Sequence, residues 1–495
     1  MIGTYASAAL ICAASLLVGR AVLSLAGRRE WSWLEPAVGF GAILTVTGLL
    51  ARLPGHGTSA TLAIVGLVVV AAVVVWRVGV RPLSGHSREK TNAEGTGGAW
   101  REGLPVAAIV LLALSIPFAV SGRWGLLGMG FNNDLGLHLA WAEWLRSGFG
   151  PEAEPGYPLG PHGLAVAVAA VPGIGLGQAF VGEIVAIGVM TGLTALGALR
   201  QLTPGRRTLA ATMVALPYLA ASYYAQGAFK ETAEALLVLA FAIWLTTFKK
   251  PQTPGPGSRA ARGPSPDTQQ RVRRAVSGEG LRSALLPLAL ATGIFFSYSF
   301  AGVAWPVAIL ALWSLTLPAV RAALRPRSLL RFLLRPLTLL AIVVLVGLGL
   351  LVTIGPLGFA GAFNKVAASN TYGPVSPLEA LGIWPTSNYR LDAAGGVELP
   401  WLAGALGILA LLAGIAWWVS RREPTIPIAL GGAALLYLAS LPTSGDYSQA
   451  KALMILAPLA MLVIIRPLLT EFPGPPQRSR CTAGRLGSTS CGVRG

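Results

Sequence analysis

GPHGLAVAVAAVPGIGL, residues 160–176, is the stretch on which the fold turns, because it is apolar enough to enter a bilayer yet short and broken by glycine and proline. Loop charge decides how it is read. If it crossed fully, RQLTPGRR at 200–207 would move outside and every later loop would invert against the positive-inside rule. The run is therefore expected to be juxtamembrane or re-entrant. With that choice, outer loops keep only Arg52, Arg123, Arg146, Lys230, Lys365, Arg390 and Lys451, 7 of the 38 Lys and Arg residues. The N-terminus is then outside and the C-terminus cytoplasmic.

Composition agrees with an apolar environment. The 495 residues are 54% hydrophobic and 12% charged, with mean hydropathy +0.64, which excludes an ordinary soluble domain. The formal charge of +18 sits between apolar runs, where it orients helices rather than binding nucleic acid. Three cysteines without neighbouring histidines form neither a disulfide framework nor a zinc site.

A crossing helix needs about 20 apolar residues. Runs near 5–27, 36–53, 59–80, 104–120, 178–199, 209–226, 232–248, 284–301, 302–320, 337–355, 399–419, 424–441 and 451–469 meet this within tolerance, so the expected fold is all-α, with about 13 transmembrane helices. The expected organisation is three N-terminal spans and a cytoplasmic loop (1–103), a core (104–250) whose first outer loop covers 121–177, and a disordered Pro/Gly/Ser/Arg-rich loop (251–283). A second helical block (284–472) with an outer loop at 356–398 follows, then a disordered tail (473–495).

The polar residues gather on the outer side. Ten of the 20 carboxylates fall there, although acidic residues do not follow the positive-inside bias. The densest stretch is FNNDLGLHLAWAEWLRSGFGPEAEPGYPLGPH at 131–162. Asn132, Asn133 and Asp134 can cap a helix on which Asp134, His138, Trp141 and Leu145 share one face and Glu143 points away. Such a helix suits a membrane interface, its polar first turn exposed to water. Other outer features are AQGAFKETAEA at 225–235, FSYSFAGVAW at 296–305, the loop 356–398 and PTSGDYSQAK at 442–451. Charged groups near spans are costly, so Lys230, Glu231, Glu234, Asp446 and Lys451 are expected to pair or to face an aqueous cavity.

NNDLGLHLAWAEWLRSG continuing into YPLGPHGLAVAVAAV resembles the first outer loop of the membrane-embedded type C glycosyltransferase (GT-C) superfamily, over residues 104–250. The resemblance implies an outer juxtamembrane helical platform and a polyprenyl-phosphate-linked sugar donor. It further implies a catalytic or metal-associated acidic residue, which falls on Asp134, and a second segment beginning at Tyr157-Pro158. A D-x-D or D-E pair is missing, since Asn132-Asn133 precede the single Asp134. No cofactor is required by the residues themselves. A divalent cation, Mg or Mn, would have Asp134 as its ligand.

The chemistry that this implies has named parts. Asp134 is the expected general base for an acceptor hydroxyl, with His138 one turn away orienting it or binding acceptor. A departing polyprenyl phosphate needs cations, for which Arg390, Lys230 and Lys451 are available, Arg390 first for its bidentate geometry. Asn133, Tyr157, His162, Glu231 and Asp446 complete the expected substrate-binding set; Tyr157, Trp305 and Trp384 can stack on sugar or lipid. The expected acceptor is an extracytoplasmic envelope glycan, lipid or protein, and the expected location is the cell membrane. Plainer readings stand beside these: Asp134 as a cap, the histidines as interface residues, Trp141 and Trp144 as aromatic-belt anchors, and Asp446 with Lys451 as a structural pair. A transporter or flippase of a lipid-linked or anionic substrate would need ionisable groups in mid-membrane, where the chain offers chiefly Glu183.

Overall fold

A computed structural model describes residues 2–28, 30–78, 96–127, 134–154, 156–248, 279–317, 320, 374–382, 400–442 and 444–470. These are helical with no strand among them. The helices are α1 (Ile2–Leu25), α2 (Glu35–Leu50), α3 (His56–Val78), α4 (Thr96–Ser121), α5 (Asp134–Ser147), α6 (Gly160–Ala169), α7 (Leu176–Ala195) and α8 (Pro204–Ala215). They continue with α9 (Tyr218–Ala225), α10 (Lys230–Leu245), α11 (Glu279–Tyr298), α12 (Phe300–Ser314), α13 (Pro400–Ser420), α14 (Thr425–Ser440) and α15 (Asp446–Leu469). Short 3-10 turns cover Leu196–Ala198 and Pro377–Leu381.

Six helices among the described residues are long and apolar enough to cross a membrane: Ile2–Leu25, His56–Val78, Trp100–Ser121, Leu176–Ala198, Leu402–Ser420 and Asp446–Leu469. Shorter apolar helices occupy the expected runs at 36–53, 284–301, 302–320 and 424–441. The expected run at 209–226 is two helices, α8 and α9, parted at Leu216-Pro217. Proline lacks the N–H that would continue the ladder, and it pushes the preceding residue out of the helical region. The run at 337–355, the loop 251–278 and the tail from 471 lie outside the described residues.

The 160–176 run forms the ten-residue helix α6 and a turn before α7. At 1.5 Å per residue α6 extends about 15 Å, half a hydrocarbon layer, so it does not cross.

Apolar side chains sort the helices into a centre and a rim. α7 and α10 are apolar nearly all round and buried along almost their whole lengths, as interior helices are. α3, α4 and α13 leave Leu62, Val69, Leu112, Ile116, Leu406 and Leu409 exposed. So much apolar surface has lipid as its natural neighbour.

Lipid is as apolar as leucine, so close packing and internal hydrogen bonds must hold such a bundle together. Glycines supply the close packing. A Cβ on Gly39 of α2 would run into the Ser15 carbonyl oxygen and the Gly19 backbone of α1, and one on Gly293 of α11 into the Gly41 backbone of α2. Beside the second crossing Thr45 Oγ1 donates to Thr292 Oγ1 at 2.9 Å. Pro467 in α15 cannot donate to the Val463 carbonyl, and Trp418 Nε1 of α13 donates to it instead at 3.2 Å. This side chain repairs a helical hydrogen bond that proline removes.

The helix termini meet at two ends. At one, Arg52 donates to the Tyr157 carbonyl, Leu145 lies against Gly57, and Gly160 lies against Leu44 and Phe296. At the other, Arg28 donates to Thr247 and Arg206 to the Leu469 carbonyl, Arg207 pairs with Glu102, and Arg466 bonds Gln201 and Glu423. Arg52, Leu145, Tyr157 and Gly160 thus share one end, and Arg28, Arg206, Arg207 and Arg466 share the opposite one.

Candidate functional site

Where α5, α6, α7 and α10 meet at the first end, apolar packing gives way to rings and charges. α5 lies on α6 through the face that the helical period picked out. Leu135, His138, Trp141, Ala142 and Leu145 are buried, and Glu143 is turned out to pair with Arg146 at 2.8 Å. The polar first turn does not leave His138 in water, however. His138 and His162 are both buried, with His138 Nδ1 3.3 Å from His162 Nε2.

Aromatic rings enclose the pair. Phe229 lies 4.8 Å from the His138 ring and 4.9 Å from Phe180; Tyr157 lies 4.5 Å from Trp141. Trp141 is therefore a wall of this cluster rather than a membrane-belt anchor, because α6 covers its face of α5. Trp144, half-buried, rests 4.9 Å from the His56 ring. Phe229 is set by the turn at Gly227, which adopts φ +76 between α9 and α10, a conformation open to glycine at little cost.

Both imidazoles are neutral, and each for a stated cause. Burial, then the Lys230 ammonium, pushes His162 down to about 3. Burial, then Lys230, His162 and Lys451, holds His138 well below its ordinary 6.5. Only one ring can donate in their hydrogen bond. His162 Nδ1 has no partner among the described residues, and a bare lone pair there is cheaper than an orphaned N–H. The favoured tautomer thus has His162 Nε2–H donating to His138 Nδ1.

The cations stand one layer away. Lys230, the first residue of α10, places Nζ 4.8 Å from the Tyr157 ring centroid. Lys451 Nζ is 3.0 Å from Glu231 Oε1 and 4.2 Å from the Tyr447 ring centroid. The partner of Lys451 is Glu231 on α10, not Asp446 on its own helix: Asp446 starts α15 five positions earlier, more than one helical turn away. Beyond Glu231 lie Glu234, fully buried with neither oxygen hydrogen-bonded among the described residues, and Tyr298, on whose phenol Lys451, Glu231, Glu234 and Tyr447 all act.

The expected site residues are thus partly gathered. His138, Tyr157, His162, Lys230, Glu231 and Lys451 form one continuous cluster. Asp134 is placed by its backbone alone, as the first residue of α5, one turn before His138. Asn133, Trp384 and Arg390 lie outside the described residues. Phe180, Phe229, Tyr298 and Tyr447 belong to the cluster and were not singled out as site residues. Phe229 adjoins Lys230 in AQGAFKETAEA and Tyr298 sits within FSYSF, but neither stretch carries a pattern that names a ligand. No group of three or more His, Cys, Asp or Glu side chains among the described residues is placed to hold a metal ion.

What the arrangement can do chemically follows from its charges. Lys230 and Lys451 bring two ammonium groups to the cluster, so an anionic group entering beside them gains their attraction. The rings offer apolar faces to the rest of such a ligand. No known protein family, curated protein or solved structure matches the chain.

Proposed function

We propose that this protein is an integral membrane glycosyltransferase of the GT-C type, which moves a sugar from a polyprenyl-phosphate-linked donor to an extracytoplasmic envelope glycan, lipid or protein. The observation that carries the reading is the buried cluster at one end of an otherwise apolar bundle, where Lys230 and Lys451 stand beside the His138–His162 pair. In this reading about thirteen helices cross the membrane, α5 and α6 are the juxtamembrane platform, and the cluster end faces outward because the opposite end gathers the arginines.

The donor phosphate sits near Lys230 and Lys451, which stabilise the departing anion. Asp134 takes the proton of the acceptor hydroxyl as that oxygen attacks the anomeric carbon. His138, held by His162, lies one turn along the same helix and orients the acceptor. If a divalent cation assists, Asp134 is its ligand.

A second reading has one observation in its favour. Glu183, midway along α7, is fully buried and neither carboxylate oxygen has a hydrogen-bond partner among the described residues. Intramembrane carboxylates of this kind mark ion or substrate pathways, which suits a transporter or flippase.

The test compares envelope linkages in cells carrying the wild-type chain or Asp134→Asn, both at equal levels in the membrane. Loss of one sugar linkage in the variant is expected. An unchanged linkage profile removes Asp134 as base, and an unchanged profile in cells lacking the whole chain removes the transferase reading.

A further inference from the structure

The arginine end of the bundle holds more positive charge than its own acids meet. Arg466, in the last turn of α15, is fixed there: it donates to Gln201 Oε1 at 2.5 Å and to Glu423 Oε2 at 2.8 Å, with its Cζ 4.2 Å from the Trp418 ring centroid. Gln201 Nε2 donates to the other Glu423 oxygen at 3.4 Å. These bonds draw the segment before α8, the turn after α13 and the end of α15 to one place, and they engage both oxygens of Glu423.

The residues beside this frame are arginines. Arg200 precedes Gln201, Arg421 and Arg422 precede Glu423, and Arg206 donates to the Leu469 carbonyl at 3.3 Å. Arg200, Arg421 and Arg422 are exposed, and none of the three pairs with a carboxylate among the described residues. Five arginines thus gather about one carboxylate, Glu423, that is already in use.

The way α13 ends adds one of these charges at a cost. Glu423 N–H donates to the Trp418 carbonyl at 3.0 Å and Arg422 N–H to the Val419 carbonyl at 2.9 Å, the paired bonds that close a helix on a left-handed residue. Arg422 is that residue, with φ 60. Glycine adopts this conformation more cheaply, so the guanidinium is carried at a position where the backbone alone favours no side chain.

Apolar surface begins at the edge of the patch. Leu209 is exposed one turn from Arg206 on α8, Leu468 is exposed beside the residue whose carbonyl Arg206 reaches, and Val419 is exposed in the last turn of α13. A free phosphate would use the guanidiniums alone. A phospholipid lying on this open surface uses both features, its phosphate taking paired N–H donors and its chains covering the leucines and valine. A zwitterionic headgroup brings a cation of its own toward the arginines, and an anionic one does not.

We propose that Arg200, Arg206, Arg421 and Arg422, framed by Arg466, form a binding site for the headgroup of an anionic phospholipid in the leaflet at this end of the bundle. The site stands whether or not the transferase reading does.

The test adds phosphatidylglycerol or phosphatidylcholine with the same acyl chains to the full chain in a neutral detergent and reads bound lipid by native mass spectrometry. Saturable binding of phosphatidylglycerol, tighter than that of phosphatidylcholine, is expected. Arg421→Gln/Arg422→Gln should weaken it about thirtyfold, about fivefold for each guanidinium. Arg28→Gln/Arg77→Gln removes as much charge elsewhere on the protein and should leave it unchanged. Arg422→Gly should weaken binding about fivefold at a melting temperature no lower than wild type, a result that a merely structural role for Arg422 would not give. Equal affinities for the two lipids overturn the proposal, as does wild-type affinity in Arg421→Gln/Arg422→Gln or an equal loss in Arg28→Gln/Arg77→Gln. Displacement of the lipid by an equal concentration of glycerol phosphate overturns it too, since the site would then read phosphate without the chains.

Discussion

Replacing Lys451 by methionine keeps most of its length and removes its charge, leaving Glu231 buried without its cation. The Nζ–Oε1 distance is 3.0 Å, and the side chains are only 12% and 3% exposed, so solvent screens the pair little. At an effective dielectric constant of 20 the attraction is roughly 5–6 kcal/mol. Desolvation has already offset much of this in the intact pair, yet deleting one partner leaves that offset in place without the attraction. Breaking buried pairs in this way costs about 3–5 kcal/mol. The double variant Lys451→Met/Glu231→Met removes both charges and should regain most of the loss, because apolar residues of similar volume are close to isoenergetic with a buried ion pair. The assay is thermal unfolding of the purified chain in one detergent, following tryptophan emission of the wild type, both single variants and the double. A Lys451→Met melting temperature equal to wild type refutes the reasoning, as does a double variant no more stable than Lys451→Met.

Other perturbations test separate parts of the bundle. His138 and His162 are neutral in the fold but protonate near 6.5 when unfolded, so the unfolded state binds more protons. Their contribution to stability is complete above pH 6.5 and falls by about 1.4 kcal/mol per pH unit for each imidazole as pH drops below that; denaturation midpoints between pH 7.5 and 5 should follow this slope, and a His138→Asn/His162→Asn variant should flatten it. Gly39→Ala should cost roughly 2–3 kcal/mol, because the new methyl meets the backbone of α1 rather than a side chain that can turn aside; a melting temperature within a degree of wild type would contradict the close approach. Trp418→Phe should cost about 1–3 kcal/mol by leaving the Val463 carbonyl without its substitute donor, and Trp418→Phe combined with Pro467→Ala, which restores the missing N–H, should regain part of it.

Much of the architecture was legible because charge and hydropathy act on whole segments. Arg28, Arg206, Arg207 and Arg466 were assigned to one side from loop charge alone, and their side chains meet partners at one end of the bundle. Loop charge also makes 160–176 juxtamembrane or re-entrant, and the ten-residue helix there is too short to cross. Contacts between segments were less legible. His138 and His162 were both marked, but not their hydrogen bond, since their meeting depends on how α5 rotates over α6. The sequence places Glu231, Asp446 and Lys451 in one set of charges expected to pair, but which carboxylate Lys451 meets is not legible; it is Glu231, on a helix far earlier in sequence, and not the nearby Asp446. Glu234 stands out in the sequence as a charge expected to pair or face water and Trp305 as a ring able to stack, yet that their polar atoms have no hydrogen-bond partner among the described residues is not legible there. Whether a buried polar group is satisfied depends on the groups that surround it, and residue type alone does not contain that information.

The crossing of α2 and α11 at Gly41 and Gly293 has a consequence for how the protein is made. About half the chain leaves the ribosome between Gly41 and Gly293, and until α11 follows, the Thr45 hydroxyl is bonded only to its own helix through the Gly41 carbonyl. The groove at Gly41 must be kept from other helices in the crowded insertion machinery until α11 emerges to fill it. The early helices therefore serve the late ones as a template, and a chain halted before residue 293 would reach the membrane with its central seam open.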